Sequence, residues 1–322
     1  MHKKIADNYD QVFLGASLPT LVKCLYQKKK TLIIEKSKYL GGAWSSENKF
    51  FKDLDLACHL IVTPSNKDSI SIIKKLKKFN IILRKIKKNE FYSDTKKWKS
   101  YGKQGPALIS NLGWPNMLKK IINILNSKKN INILTKEEVK KIVINNKNYS
   151  QIILENRNIY SKKVYFPSYF GLSKIFYFNK NIFTPYKKTK NIHYIIKVRT
   201  TTFLKNKYFQ GFYYKNSIFD RFSVSKVIKH KKFLEIFFSA RVAKELKNKT
   251  KIINKLEINY FLKSNKILKD LNYIEFTKVN YLCCYRDIND RMYTINSLKQ
   301  TNDLIKWFDT LYFGHFLYKN LK

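Results

Sequence analysis

A chain of 322 residues, 44% hydrophobic and 15% aromatic, can bury a sizeable core, which argues against disorder and suggests about two domains. The formal charge of +43 comes from 65 Lys and Arg against 22 Asp and Glu. Only seven of the basic residues are Arg, the side chain suited to bidentate phosphate and base contacts, and the Lys are spread through every segment beside abundant Asn and Ile. Compositional bias explains that pattern better than a specific nucleic-acid surface does, although peripheral contact with an anionic membrane at low salt stays open.

Val12 to Leu14 reads as a short buried strand. The next helix spans about Leu18 to Lys28, with Leu18, Leu21, Val22 and Leu25 on one face. Ser17 is placed to cap it, and Pro19 falls in the first turn, where a missing N–H costs nothing. Thr31 to Ile34 is a β-branched, apolar strand of the buried parallel kind. Ser69 to Phe79 has helical spacing, and Lys85 to Lys103 reads as short strands or a loop. Asn116 to Leu125 is an amphipathic helix introduced by Gly113, Trp114 and Pro115. Strands follow at Asn132 to Thr135, Val139 to Ile144, Gln151 to Glu155, Asn158 to Tyr160 and Val164 to Phe166. From about Ser168 the texture changes: His193 to Thr202, Tyr208 to Tyr214 and Phe233 to Ser239 alternate as half-exposed antiparallel strands do. Val242 to Leu256 and Ile258 to Leu271 read as helices, Tyr273 to Tyr285 as a strand, and Asp303 to Leu321 as a C-terminal helix.

The four cysteines form no C-x-x-C pair, and no His spacing suggests a metal. Neither a signal-peptide core nor an uncharged run of membrane-spanning length is present, so a reduced, cytoplasmic, soluble or peripheral protein is expected.

The first strand, turn, helix and second strand have the layout of a dinucleotide-binding βαβ unit. Gly15 permits the sharp exit from the strand. The three-glycine fingerprint here reads Gly15-x-Ser17-x-x-Thr20, with Ala16 and Leu18 between. Ser17 stands where a glycine lets backbone approach a pyrophosphate, and Thr20 where one lets helix and strand pack closely. Glu35, followed by Lys36, lies where a carboxylate receives a ribose hydroxyl. Gly41 and Gly42, followed by Ala43 and Trp44, permit close passage of backbone beneath a cofactor, or simply a turn. No Gly-x-Ser-x-Gly elbow, His-Glu-x-x-His or Walker A motif occurs.

Together these residues resemble the entry of the FAD-dependent amine-oxidase-like flavoprotein superfamily, which includes protoporphyrinogen oxidases, phytoene desaturases and UDP-galactopyranose mutases. Phe51 to Val62 is similar to the family segment in which an Asp, a small residue and often a His follow the glycine pair. Asn111 to Leu125 followed by Ile131 to Asn146 looks like the family's helix-strand passage, in which a valine backbone contacts the adenine; Val139 is the matching residue. Phe219 to Lys226 resembles a stretch of the substrate domain. The chain departs from the pattern at Ser17, at Thr20, at Gly113-Trp114 where the family has two glycines, and near the C-terminus, where the family's glycine-rich turn has no counterpart.

The resemblance implies an α/β architecture: a Rossmann-like three-layer FAD-binding domain from residues 1–62, 105–167 and 280–322, and a smaller mixed α+β substrate domain from 63–104 and 168–279. It implies FAD as cofactor, with Gly15, Ala16, Ser17, Leu18, Glu35, Lys36, Gly41, Gly42, Ala43, Trp44 and Val139 binding it. His59, near Asp53 and Asp55, is a catalytic candidate or a satisfied core histidine. Tyr101, Arg199, Arg221 and Arg286 are candidates for holding an anionic small-molecule substrate. The function implied is a flavin-dependent oxidoreductase with hydride transfer to flavin. A sugar-nucleotide mutase-like enzyme and a degenerate, non-catalytic relative are the alternatives, ahead of a basic nucleic-acid or membrane-surface binder.

Overall fold

The computed structural model describes residues 8–42, 54, 61–62, 66–94, 107–144, 149–165, 174–177, 179–181, 183–184, 189–205, 209–213, 216–243, 246, 253–283 and 294–295. The chain divides into two compact units, one from Met1–Gly42, Leu118–Thr189 and Cys284–Lys322, the other from Ala43–Met117 and Lys190–Cys283. The changeovers differ from those drawn on the sequence because strand pairing sets them. Ile61–Val62 and Leu83–Lys85 both pair with Ala107–Ser110, which ties these segments to the second unit. Lys174–Tyr177 pairs with Lys141–Ile144, which keeps it in the first.

The first unit is built on an eight-stranded mixed sheet. Its parallel heart runs Asn158–Tyr165, β1 (Asn8–Leu14), β2 (Thr31–Glu35), Ile131–Thr135. β2 is buried along its whole length and β1 over its last four residues, as parallel strands covered on both faces must be. Helix α1 (Leu18–Leu25) links β1 to β2 and buries Leu18, Leu21, Val22 and Leu25, the face expected from the spacing. Lys141–Ile144 and Ser150–Ile153 form an antiparallel flap onto Asn158–Tyr165. The two short strands expected between Asn158 and Phe166 are one strand, Asn158–Tyr165.

The second unit carries a six-stranded sheet in the order Tyr273–Cys283, Thr189–Thr200, Leu234–Val242, Phe219–Lys229, Gln210–Phe212, Phe91–Ser93. One face packs Tyr194, Ile196, Phe222, Ile236 and Phe238 against Ile258, Phe261 and Leu262 of the helix Lys255–Ser264. Of the helices expected at Val242–Leu256 and Ile258–Leu271, the described residues show one, Lys255–Ser264, which overlaps the second; residues 244–245 and 247–252 lie outside the described residues. Val242 ends a strand, and the helix starts only at Lys255. The reason is local chemistry: Asn254 and Glu257 make a reciprocal capping box, which fixes the helix start against the apolar periodicity upstream. At the other end Asn265 caps the helix and Lys266 turns left-handed, at φ +50°. The expected C-terminal helix lies outside the described residues.

Candidate functional site

β1 delivers the chain to Gly15, whose φ of +84° suits only a residue without a side chain. The Gly15 N–H donates to the Ile34 carbonyl at 2.8 Å, locking the turn to β2. Ser17 then precedes α1 with extended backbone. Its hydroxyl does not cap the helix as the sequence suggested. It lies 3.2 Å from the Thr20 hydroxyl instead. Pro19 in the first turn has removed one N–H that a capping serine uses, and wholly buried Thr20 supplies a competing partner. Leu18 and Thr20 keep N–H groups with no acceptor inside the helix, at its positive end.

Glu35 ends β2 and is 8% exposed. Its Oε2 accepts from the Ala16 N–H at 2.8 Å and its Oε1 from the Ser37 N–H at 2.9 Å. The carboxylate therefore ties the turn after β1 to the turn after β2. Of its roughly four acceptor positions, two are occupied in this way. Gly41 closes the ring: its N–H donates to the Ala16 carbonyl at 2.7 Å, and it bridges Ser17. Gly41 has φ +109°, and a side chain there would run into Leu118. Exposed Gly42, at φ +56°, has among the described residues only Ser17 near where a Cβ would lie, at 3.9 Å.

The structure thus brings Gly15, Ala16, Ser17, Leu18, Glu35, Gly41 and Gly42 to one end of the parallel strands. Exposed Lys36 follows Glu35 there. Val139 is placed differently from a surface contact: its side chain is wholly buried among Leu134, Ile142 and Val164, which leaves only main chain for a ligand. Sequence reasoning missed the segment beside Glu35. The Lys136 N–H donates to the Ser37 carbonyl at 3.1 Å and the Glu137 N–H to the Glu35 carbonyl at 3.2 Å. Lys136 makes this turn at φ +62°, a conformation that no glycine or asparagine advertised. Ala43, Trp44, Asp53, Asp55, His59, Tyr101 and Arg286 lie outside the described residues. Arg199 and Arg221 sit on the six-stranded sheet of the other unit. Cys24 is fully buried, and burial pushes its thiol far above the ordinary range, so it is no nucleophile.

Chemically, the strand ends offer helix N–H groups for an anion, a carboxylate for hydroxyl donors and a glycine pair that keeps side chains away. No family model matches the sequence, and no curated protein matches it. Among solved structures the chain is similar to a double mutant of putrescine oxidase, with 8% identity over 98% of this chain and 96% of that one and a TM-score of 0.57. It is similar to cyclohexylamine oxidase from Brevibacterium oxydans, with 8% identity over 84% of each chain and a TM-score of 0.53. It is also similar to L-alpha-glycerophosphate oxidase from Mycoplasma pneumoniae, a structure with FAD bound, with 12% identity over 98% of this chain and 92% of that one and a TM-score of 0.50. At such identities the likeness is one of fold, and the chain has the α/β fold of these oxidases.

Proposed function

We propose that the chain is an FAD-dependent oxidoreductase and a divergent relative of the amine-oxidase-like flavoproteins. The observation that carries this reading is the ring of contacts from Gly15 through Glu35 to Gly41, set in a fold shared with flavoprotein oxidases. The residues fit the cofactor. The Leu18 and Thr20 N–H groups would receive the pyrophosphate at the head of α1. The remaining acceptor positions of Glu35 would receive a ribose hydroxyl, and the Val139 backbone would lie by the adenine. Gly42 keeps the approach open, since among the described residues only Ser17 lies near its Cβ position. FAD supplies the hydride acceptor; the chain supplies binding, orientation and exclusion of water. The second unit is proposed to hold the substrate. Purified protein should show flavin absorbance at one FAD per chain, on isolation or after incubation with FAD. A colourless protein that takes up no flavin refutes this.

A second reading, a non-catalytic relative that keeps the fold, is favoured by one observation. The paired hydroxyls of Ser17 and Thr20 fill two places where the fingerprint has glycine. Stoichiometric flavin on the unaltered protein would end that reading.

A further inference from the structure

The second face of the six-stranded sheet is unlike its packed core face. Register pairs place Ser93, Phe212, Arg221, Arg241 and His193 side by side in one row. The next row on the same face runs Phe91, Gln210, Ser223, Ser239 and Ile195. Gln210 is 7%, Ser223 3% and His193 1% exposed, so this is a buried polar belt rather than a solvated face.

Two groups in the belt stand out. The Gln210 Oε1 and the Arg221 Nε are buried and have no hydrogen-bond partner among the described residues. Buried polar atoms are nearly always satisfied, so two orphans on one face point to a partner that arrives from outside the chain. Arg221 also has no counter-ion among the described residues. Among the described residues Arg84, Arg157, Arg199 and Arg241 each face a carboxylate, on Glu90, Glu137, Glu235 and Asp220. Arg221 instead lays its guanidinium over the Phe212 ring, 5.0 Å from the centroid. A bulge that inserts Asp220 between Phe219 and Arg221 sets this arrangement: Asp220 goes to Arg241, at 2.6 Å, and Arg221 is turned into the row without an acid.

We propose that this face binds a small organic oxyanion, its carboxylate or phosphate held by Arg221 and a neighbouring hydroxyl or amine received by Gln210. A guanidinium fork matches such an oxyanion in two hydrogen bonds, and the Phe212 ring holds the fork in plane. Gln210 and Arg221 are diagonal neighbours across adjacent strands, about 7–8 Å apart at Cα, so the ligand carries its donor within a few atoms of the oxyanion. Naming this ligand as the substrate rests on the oxidoreductase reading above; the binding site does not.

The test is calorimetric titration of the full chain with lactate, propionate and methyl phosphate at about 0.3 M salt, where exposed lysines are screened. One saturable site is expected. Lactate should bind about tenfold tighter than propionate, a difference worth one hydrogen bond. The tighter of the carboxylate and phosphate arms names the oxyanion. Arg221→Lys, which keeps the charge and loses the fork, should weaken binding about tenfold or more. Gln210→Leu should erase the lactate–propionate difference while leaving propionate binding unchanged. Arg221→Met should abolish binding; if it fails to fold, the other two variants carry the test. Wild-type affinity in Arg221→Lys and Arg221→Met, or no saturable binding of any of the three compounds, overturns the proposal and leaves the two atoms to ordered water. Flavin absorbance of the same samples keeps the readings apart. A colourless protein whose lactate binding depends on Arg221 loses the oxidoreductase and keeps this site. A flavin-replete protein indifferent to Arg221 does the reverse.

Discussion

Removing the Glu35 carboxylate tests whether it is a structural tie as well as a ligand-binding group. Glu35→Ala deletes both of its backbone hydrogen bonds. Ser37 is exposed, and water replaces the lost acceptor there at little cost. Ala16 is wholly buried, so its N–H is left without a partner. A buried donor stripped of its acceptor costs about 1–3 kcal/mol, and the charged acceptor places this case in the upper half. With about 2.1 cal/mol/K of unfolding entropy per residue, a chain of 322 residues loses about 1.5 °C per kcal/mol, so a fall of roughly 3–5 °C is expected. Glu35→Gln should cost about half as much, because its amide oxygen can still serve the Ala16 N–H while its NH2 end turns to the exposed side. Thermal melts of flavin-free protein, followed by circular dichroism, separate this from loss of cofactor. If flavin-free Glu35→Ala melts within about 1 °C of the parent, Glu35 is no tie, and the account of the turn is wrong.

Gly41→Ala combines a left-handed backbone with a side chain driven into Leu118. It should destabilise by about 2–4 kcal/mol, read as a lower urea midpoint with unchanged slope. Asp270 is held well below the usual carboxylate range, first by the Thr201 N–H and then by the Thr200 and Thr201 hydroxyls and the Thr202 N–H. Its folded value lies under its unfolded one, so its stabilisation is complete above about pH 5 and fades as the pH falls through the folded value. Asp270→Asn should lose about 1 kcal/mol at neutral pH, a figure discounted for partial exposure, and should narrow the gap to the parent as the pH approaches 3. An equal gap in urea midpoint at both pH values would count against this.

The first βαβ unit was legible because its signals are local. Gly15, the apolar face of α1 and the run Thr31 to Ile34 each specify their own conformation. Ser17 departs from the cap its position predicts because a competing hydroxyl lies three residues on, inside a buried contact. The helix expected near 258–271 is present as Lys255–Ser264, but Val242 belongs to a strand, because apolar spacing does not show where Leu234–Val242 stops and its pairing with Phe219–Lys229 decides that.

The sequence by itself determined the strand-turn-helix-strand entry, the acid at the end of β2 and the glycine pair, since hydrophobic period and backbone permission act over a few residues. Only the tertiary structure decided what those groups touch. Glu35 reaches Ala16 across parallel strands, and Gly41 settles on the Ala16 carbonyl and against Leu118. It also decided the fate of Arg221. In sequence it is one of seven arginines; a single bulged residue gives its neighbour's carboxylate to Arg241 and leaves Arg221 on Phe212 without an acid among the described residues. Register between distant strands fixes such contacts, because a shift of one residue carries each side chain to the opposite face of the sheet.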